Sequence, residues 1–131
     1  MCVVLEIRTQ RDIIAARQAG RDMACRQGFR LADQTRMATA ISELTRNALQ
    51  YAGGGVCTLR EVSDQDYTKV YAEVEDHGPG IPDVDKAMQY GFTTSNGLGM
   101  GLPGAKSLVH EFTIQSRPGN TKVVIVIRRK K

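Results

Sequence analysis

The sequence predicts an α+β fold in which helices cover one face of a mixed, mostly antiparallel sheet. Three observations carry this prediction: a short strand pattern opens the chain, two amphipathic helical patterns follow it, and four further strand patterns come later in two pairs. Strands joined by short turns run antiparallel. Helices and sheet then form the two layers of an α/β sandwich. No linker divides residues 1–131, so we expect one domain.

A strand and a capped helix open the chain. Residues 2–8 are rich in β-branched and other apolar side chains, which predicts a strand. Thr9 and Asp12 have the spacing of a capping box, so a helix is predicted over residues 11–27. Gly28 then ends this helix, because glycine readily adopts the left-handed conformation found at helix C-termini.

A second, longer helix is predicted over residues 34–52. Asp33 is its expected N-cap, and Gly53 follows its last residue. Apolar side chains recur at the spacing of one helical face, which should pack against the sheet. This stripe consists of Met37, Ile41, Leu44 and Ala48.

The remaining elements are two hairpins separated by short helices and a glycine-rich loop. A polar run lies between the first two strands, and residues 118–120 form the turn between the last two. The predicted order is strand 55–62, strand 68–75, helix 83–90, loop 91–101, helix 102–110, strand 111–117 and strand 121–129.

The composition is that of a globular protein. Apolar residues make up 41% of the chain, and no run approaches the roughly 20 residues that span a bilayer, so we expect no membrane contact and a cytoplasmic location. The net charge of +4 comes partly from the last four residues, and with few aromatic side chains it favours a solvated tail over a nucleic-acid surface. The three cysteines have no metal-ligand spacing, which favours reduced thiols.

Glu43 and Asn47 are the first candidate site residues. Being four positions apart on the second predicted helix, they lie on one helical face beside the apolar stripe. An amide oxygen can bind a hard cation such as Mg²⁺, and a carboxylate can accept a proton. The alternative is a solvated pair on a helix flank, which this spacing alone leaves open.

Asp76, Gly78 and Gly80 form the second candidate. They follow the predicted strand 68–75, where a carboxylate can accept a hydrogen bond from an exocyclic amine such as that of adenine. The glycines would let the backbone turn tightly beneath a base. The alternative is a plain turn, since Asp, Gly and Pro favour turns in any case.

The third candidate is a glycine-rich loop with Gly97, Gly99 and Gly101, which runs through Leu102 into a helix. Backbone amides and a helix N-terminus can hold phosphate. The loop matches a dinucleotide fingerprint by its letters but follows a polar loop instead of a strand, and it has one residue too many before Lys106 for a P-loop. The alternative is a flexible surface loop.

In this order and at these separations, the three clusters resemble the nucleotide-binding boxes of the GHKL ATPases. Further matching stretches are residues 12–20, 39–44, 76–83, 91–95 and 101–104, so the resemblance covers nearly the whole chain. Within the superfamily the chain is most similar to the small anti-sigma-type serine/threonine kinases, and among these to the RsbT-type switch kinases of the stressosome. The resemblance implies the Bergerat fold and the use of ATP with Mg²⁺.

The resemblance also implies a role for each candidate residue. Glu43 would be the catalytic base and Asn47 the Mg²⁺ ligand. Asp76 would recognise adenine with support from Thr121, and Arg17 corresponds to a partner-contacting residue of the related kinases. The nucleotide pocket and the phosphate-binding loop would be formed by Gly78, Gly80, Gly97, Gly99, Gly101 and Leu102.

Two classes of function follow from this resemblance. The first is a kinase that phosphorylates STAS-domain proteins on Ser or Thr and, once released, binds and activates a PP2C-type phosphatase; a homodimer is left open. The alternative is a binding module or anti-sigma factor in which ATP only shapes a docking surface. A nucleic-acid binder is a third class, which would show steep salt dependence.

Overall fold

A computed structural model describes residues 1–81, 84, 88 and 101–131 of the 131-residue chain. Its strands and helices are β1 (Cys2–Ile7), α1 (Gln10–Arg26), α2 (Leu31–Ala52), β2 (Gly55–Ser63), β3 (Tyr67–Asp76), α3 (Gly101–Leu108), β4 (Glu111–Arg117) and β5 (Asn120–Lys130). The predicted helix 83–90, apart from two residues, and residues 91–100 of the predicted loop lie outside the described residues.

The described strands form one sheet in the order β1-β2-β3-β5-β4, and every neighbouring pair in it is antiparallel. β3 lies at the centre, and its last residue, Asp76, is opposite Thr121 of β5. The β2–β3 and β4–β5 pairs are the two predicted hairpins. The prediction of a mostly antiparallel sheet is confirmed.

Helices α1 and α2 cover one face of this sheet. Alternate residues of β3 are buried, as expected for a strand with one face against a core. The predicted stripe of α2 is also buried, with no more than 2% of any of its four residues exposed. α1 packs closely on α2 at Gly20, where an added Cβ would overlap Ile41 Cδ1. The two-layer α+β sandwich is therefore confirmed, and none of the described helices is long and apolar enough to cross a bilayer.

Both ends of α1 follow the local sequence. The Asp12 carboxylate accepts the Thr9 N–H at 2.9 Å, which completes the predicted capping box. At the other end the N–H groups of Gly28 and Phe29 donate to carbonyls of the last helical turn at 3.0 Å. Gly28 has a φ of 79°, the left-handed conformation that this pattern requires.

α2 begins three residues earlier than predicted, and the expectation that Asp33 is its N-cap was wrong. The N-cap is Arg30, whose carbonyl oxygen accepts the Gln34 N–H at 3.0 Å. Asp33 lies inside the first turn and pairs with Arg36 at 3.2 Å. An acidic side chain is favoured both at the N-cap and in the first turn, where it faces the positive end of the helix dipole, so residue type alone did not separate the two positions.

Candidate functional site

Glu43 lies on the flank of α2, and its carboxylate is held at both oxygens. Arg46 Nη1 lies 2.9 Å from Oε1, and the Gly101 N–H donates to Oε2 at 3.2 Å. Only 15% of the Glu43 side chain is exposed. A carboxylate this far removed from water needs such partners, because desolvation disfavours an unpaired charge.

The Gly101 contact joins two clusters that are 58 residues apart in the chain. Gly101 begins α3 with a φ of 47°, and Leu102 beside it is buried in the core. The first N–H groups of a helix have no intrahelical acceptor. In this structure the Glu43 carboxylate is the acceptor for one of them, so α2 and the end of the glycine-rich loop meet at one place.

Asn47 is half-buried on the same flank of α2. Among the described residues its side chain has no hydrogen-bond partner, so its amide oxygen is available to a ligand. The described part of the chain contains no group of three or more His, Cys, Asp or Glu residues that could hold a metal ion. Mg²⁺ usually takes one or two protein oxygens together with oxygens of a phosphate ligand, and the Asn47 amide can offer one such oxygen.

Asp76 closes β3 and is half-buried. Its Oδ1 accepts the Gly78 N–H at 3.0 Å. Burial raises the pKa of the Asp76 carboxyl above its usual range, and the hydrogen bond from Gly78 acts in the opposite direction. A carboxylate in this environment gains from a ligand that donates a hydrogen bond to it in place of water.

The glycines after Asp76 let the backbone pass between α2 and the β4–β5 hairpin. A Cβ on Gly78 would lie 2.5 Å from the Ala52 Cβ, and one on Gly80 would lie 2.5 Å from the Arg117 carbonyl oxygen. Gly80 also has a φ of 83°, which other residues adopt only with strain. The Gly78 carbonyl oxygen accepts the Gly119 N–H at 2.9 Å, which ties this turn to the hairpin.

Thr121 is buried opposite Asp76 and belongs to a short hydrogen-bonded chain. Its hydroxyl lies 2.7 Å from the Ser116 Oγ, which also accepts the Ile81 N–H at 2.7 Å. Ser116 was missed at the sequence level. The signal was present, because a hairpin turning at residues 118 and 119 pairs Ser116 with Thr121.

The described contacts do not link every predicted site residue to the others. Gly97 and Gly99 lie outside the described residues. Arg17 is exposed on α1 and has no hydrogen bond or ion pair with the described site residues. Arg46, in contrast, was not predicted to belong to the site, although its position three residues after Glu43 on a helix is the spacing of an ion pair.

Comparison with known proteins decides the family. Residues 32–131 match the family described as histidine kinase-, DNA gyrase B-, and HSP90-like ATPase. The chain belongs to this GHKL family.

Relatives narrow this assignment. The chain is 47% identical to the serine/threonine-protein kinase RsbT of Bacillus subtilis over 124 residues, which are 95% of this chain and 93% of the relative. It is 37% identical to the anti-sigma F factor of Caldanaerobacter subterraneus over 66% of this chain and 63% of the relative. The predicted assignment to the RsbT-type GHKL proteins is confirmed, and the protein is an ATP-dependent protein-serine/threonine kinase.

Solved structures agree on the fold. The RsbU and RsbW domains of Rv1364c from Mycobacterium tuberculosis match with a TM-score of 0.69 at 22% identity, covering 100% of this chain and 32% of that chain. The catalytic domain of the histidine kinase ThkA matches with a TM-score of 0.55 at 20% identity, covering 95% of both chains. The predicted Bergerat-type sandwich is confirmed by these matches.

Proposed function

We propose that this GHKL kinase transfers the γ-phosphoryl group of ATP to a serine or threonine hydroxyl of a STAS-domain partner, within a bacterial partner-switching pathway. The observation that carries the proposal is the 3.2 Å contact between the Gly101 N–H and Glu43 Oε2. It brings a carboxylate on α2 to the end of the glycine-rich loop. Phosphoryl transfer depends mainly on such positioning of a base and of groups that stabilise phosphate charge.

The adenine end of the nucleotide is proposed to bind at the end of β3. The Asp76 carboxylate would accept a hydrogen bond from the adenine amine, and Thr121 would support it from the neighbouring strand. Gly78 and Gly80 allow the turn after Asp76 to stay close to α2 and the β4–β5 hairpin. The phosphate end is proposed to bind the loop glycines Gly97, Gly99 and Gly101 and the start of α3 at Leu102.

Asn47 is the proposed ligand of Mg²⁺. Its amide is half-buried and makes no hydrogen bond to the described residues, which suits an oxygen ligand for a hard cation. When bound there with the phosphates of ATP, Mg²⁺ would offset their negative charge.

Glu43 is the proposed general base. Its carboxylate would accept the proton of the acceptor hydroxyl while the hydroxyl oxygen bonds to the γ-phosphorus and the bond from that phosphorus to the ADP oxygen breaks. The Glu43 side chain is 15% exposed, so it is not fully enclosed by the fold. Gly101, which donates to the same carboxylate, lies at the helix N-terminus where phosphate is favoured.

The proposed partners are proteins of two kinds. STAS-domain proteins are the proposed phosphoryl acceptors, and a PP2C-type phosphatase is the proposed partner after release. Support comes from the 47% identity to RsbT and from the anti-sigma F relatives, together with the resemblance to switch kinases. Arg17 is exposed on α1, as a residue that contacts a partner must be.

Incubation with radiolabelled ATP and a STAS-domain protein from the same organism tests the proposal. We expect label on Ser or Thr of the acceptor, and we expect Glu43→Ala to slow transfer by at least about 100-fold, the usual size of a general-base effect. Asp33→Ala is the matched control, because Asp33 is a carboxylate on the same helix that also pairs with an arginine three residues on. Absence of label on the acceptor would overturn the proposed transfer, and transfer by Glu43→Ala at the rate of this control would overturn the role of Glu43 as the base.

A second function is favoured by the anti-sigma F relatives, which suggest regulation by docking. In that case ATP binding would alter the affinity for a partner without phosphorylating it. The two functions separate in one experiment, in which partner binding is followed with ATP and with a non-hydrolysable analogue. Equal effects of both nucleotides, with no phosphoserine or phosphothreonine formed on the STAS-domain protein, would replace the proposed transfer to this partner by the docking function.

A further inference from the structure

Arg46 contacts the carboxylate that we propose as the base. Its Nη1 lies 2.9 Å from Glu43 Oε1, and 44% of the Arg46 side chain is exposed, compared with 15% of the Glu43 side chain. Among the described residues, no other cation lies within 4.0 Å of this carboxylate. Arg46 is therefore the charged partner that compensates a mostly buried anion.

The two contacts of Glu43 fix different oxygens. Arg46 binds Oε1, while the Gly101 N–H donates to Oε2 at 3.2 Å. Successive helical residues are about 100° apart, so Arg46 lies about 60° to one side of Glu43 and Asn47 about 40° to the other. Arg46 thus holds the carboxylate from the side away from the proposed metal ligand.

We infer that Arg46 is a positioning residue: it anchors the Glu43 carboxylate against the Gly101 N–H, so that the base is oriented before the acceptor hydroxyl arrives. The catalytic consequence rests on the proposed function, whereas the anchoring itself does not. Catalysis is sensitive to such anchoring, because a displacement of about 1 Å can cost about 100-fold in rate.

The competing interpretation is an ordinary surface ion pair. Exposed pairs of this kind contribute little, since salt and water screen them. The Asp33–Arg36 pair serves as a direct comparison, because it has the same spacing on the same helix, a distance of 3.2 Å and an acidic side chain that is 17% exposed. It differs in lacking the contact with Gly101, so Arg36→Ala is a matched control for Arg46→Ala.

Steady-state transfer from ATP to the STAS-domain acceptor tests the inference. We expect Arg46→Ala to lower kcat about 10- to 100-fold while the KM for ATP stays within about twofold, as for a residue that acts on the base and not on nucleotide binding. Arg46→Lys should recover part of the loss, because it retains the charge but not the planar guanidinium. Arg36→Ala should keep the wild-type kcat.

The double variant shows whether Arg46 acts through Glu43. In a Glu43→Gln background, Arg46→Ala should reduce the remaining rate by less than about twofold, because the anchored group is already gone. A kcat for Arg46→Ala equal to that of Arg36→Ala would overturn the inference. The inference would also be overturned if Arg46→Ala raised the KM for ATP and did so in the Glu43→Gln background as well, because that result would indicate that Arg46 contacts the nucleotide.

Hydrogen exchange at the Gly101 amide gives a readout that needs no activity. If Arg46 anchors Glu43, Arg46→Ala should speed exchange of this amide several-fold in the nucleotide-free protein, and Arg36→Ala should not. Unchanged exchange would overturn the anchoring. If Glu43→Gln instead retains full transfer while exchange responds to Arg46→Ala, the proposed base is wrong and the anchoring stands.

Discussion

The charge of the Asp76 carboxylate should favour ligand binding but lowers the stability of the fold. Burial removes water from its charged form and raises the pKa of its carboxyl, and the Gly78 hydrogen bond offsets part of this effect. An acid whose pKa is higher in the folded chain binds its proton more tightly there. Stability is therefore lost as the pH rises from the unfolded pKa through the folded one, and the penalty is constant above both.

We expect Asp76→Asn to raise the free energy of unfolding at pH 7, because the neutral amide removes a partly buried charge. We also expect it to weaken ATP binding at least about tenfold, because the NH₂ group of the amide would face the adenine amine and cannot accept a hydrogen bond from it. Its oxygen can still accept the Gly78 N–H. The gain in stability should shrink as the pH falls through the raised folded pKa towards the ordinary value of 3.8, because the folded wild-type carboxyl then becomes protonated. Urea unfolding at pH 7 and pH 4, with titration of a fluorescent ATP analogue, checks both effects. A variant less stable than wild type at pH 7 would contradict this account.

The turn that follows β3 is the element that most needs glycine. Gly80 and Gly53 both have positive φ angles, 83° and 75°, but their surroundings differ. A Cβ on Gly80 would lie 2.5 Å from the Arg117 carbonyl oxygen, whereas one on Gly53 would have nothing within 4 Å. Replacing either glycine by alanine would thus strain the backbone, whereas only at Gly80 would the added Cβ also clash with a neighbouring atom.

We expect Gly53→Ala to lower the free energy of unfolding by about 1 kcal/mol, the usual cost of a left-handed alanine. Gly80→Ala should cost at least about 1 kcal/mol more, because the hairpin backbone must also move. Urea unfolding of the two variants measures the difference. Since the Arg117 carbonyl belongs to the hairpin that contains Thr121, Gly80→Ala should also weaken ATP binding, while Gly53→Ala should not. Equal losses of stability would show that the hairpin adjusts freely.

Local patterns predicted the elements but not the contacts between them. The stripe of α2 and the capping box of α1 depend on neighbours within a few residues, so periodicity and spacing were sufficient. The contact between Glu43 and Gly101 joins two elements across 58 residues, and no local rule specifies it. Ser116 could be assigned only from the register of β4 against β5. The roles of the site residues and the extent of the single domain remain predictions.

Considered as a whole, the molecule places its candidate site along the C-terminal half of α2. The end of β3, the β4–β5 turn and the last turn of α2 meet at Gly78, and the start of α3 meets α2 at Glu43. A ligand bound to these elements together would resist any opening of the helix layer from the sheet. Nucleotide binding and global stability should therefore be linked, since a ligand that binds only the folded state stabilises it.

Cys57 provides a probe of this link. It lies on β2 with no exposed surface, and burial raises the pKa of its thiol to about 12, while Cys2 and Cys25 are exposed. Because the thiolate is the reactive form, we expect DTNB to modify two thiols rapidly and Cys57 only when the protein opens. ATP with Mg²⁺ at about 100 times its Kd should slow modification of Cys57 about 100-fold, which corresponds to about 2.7 kcal/mol of added stability.

The Cys2→Ser/Cys25→Ser variant isolates the slow thiol and should leave the stability nearly unchanged, since both side chains are exposed. Adding Asp76→Asn to this variant should abolish most of the protection by ATP, because the proposed adenine contact is then lost. Three thiols of equal reactivity would contradict the position of Cys57 between the layers. If ATP does not slow the modification of Cys57, nucleotide binding is not linked to global stability. The proposed binding of ATP across β3, the β4–β5 hairpin, α2 and α3 would then be wrong.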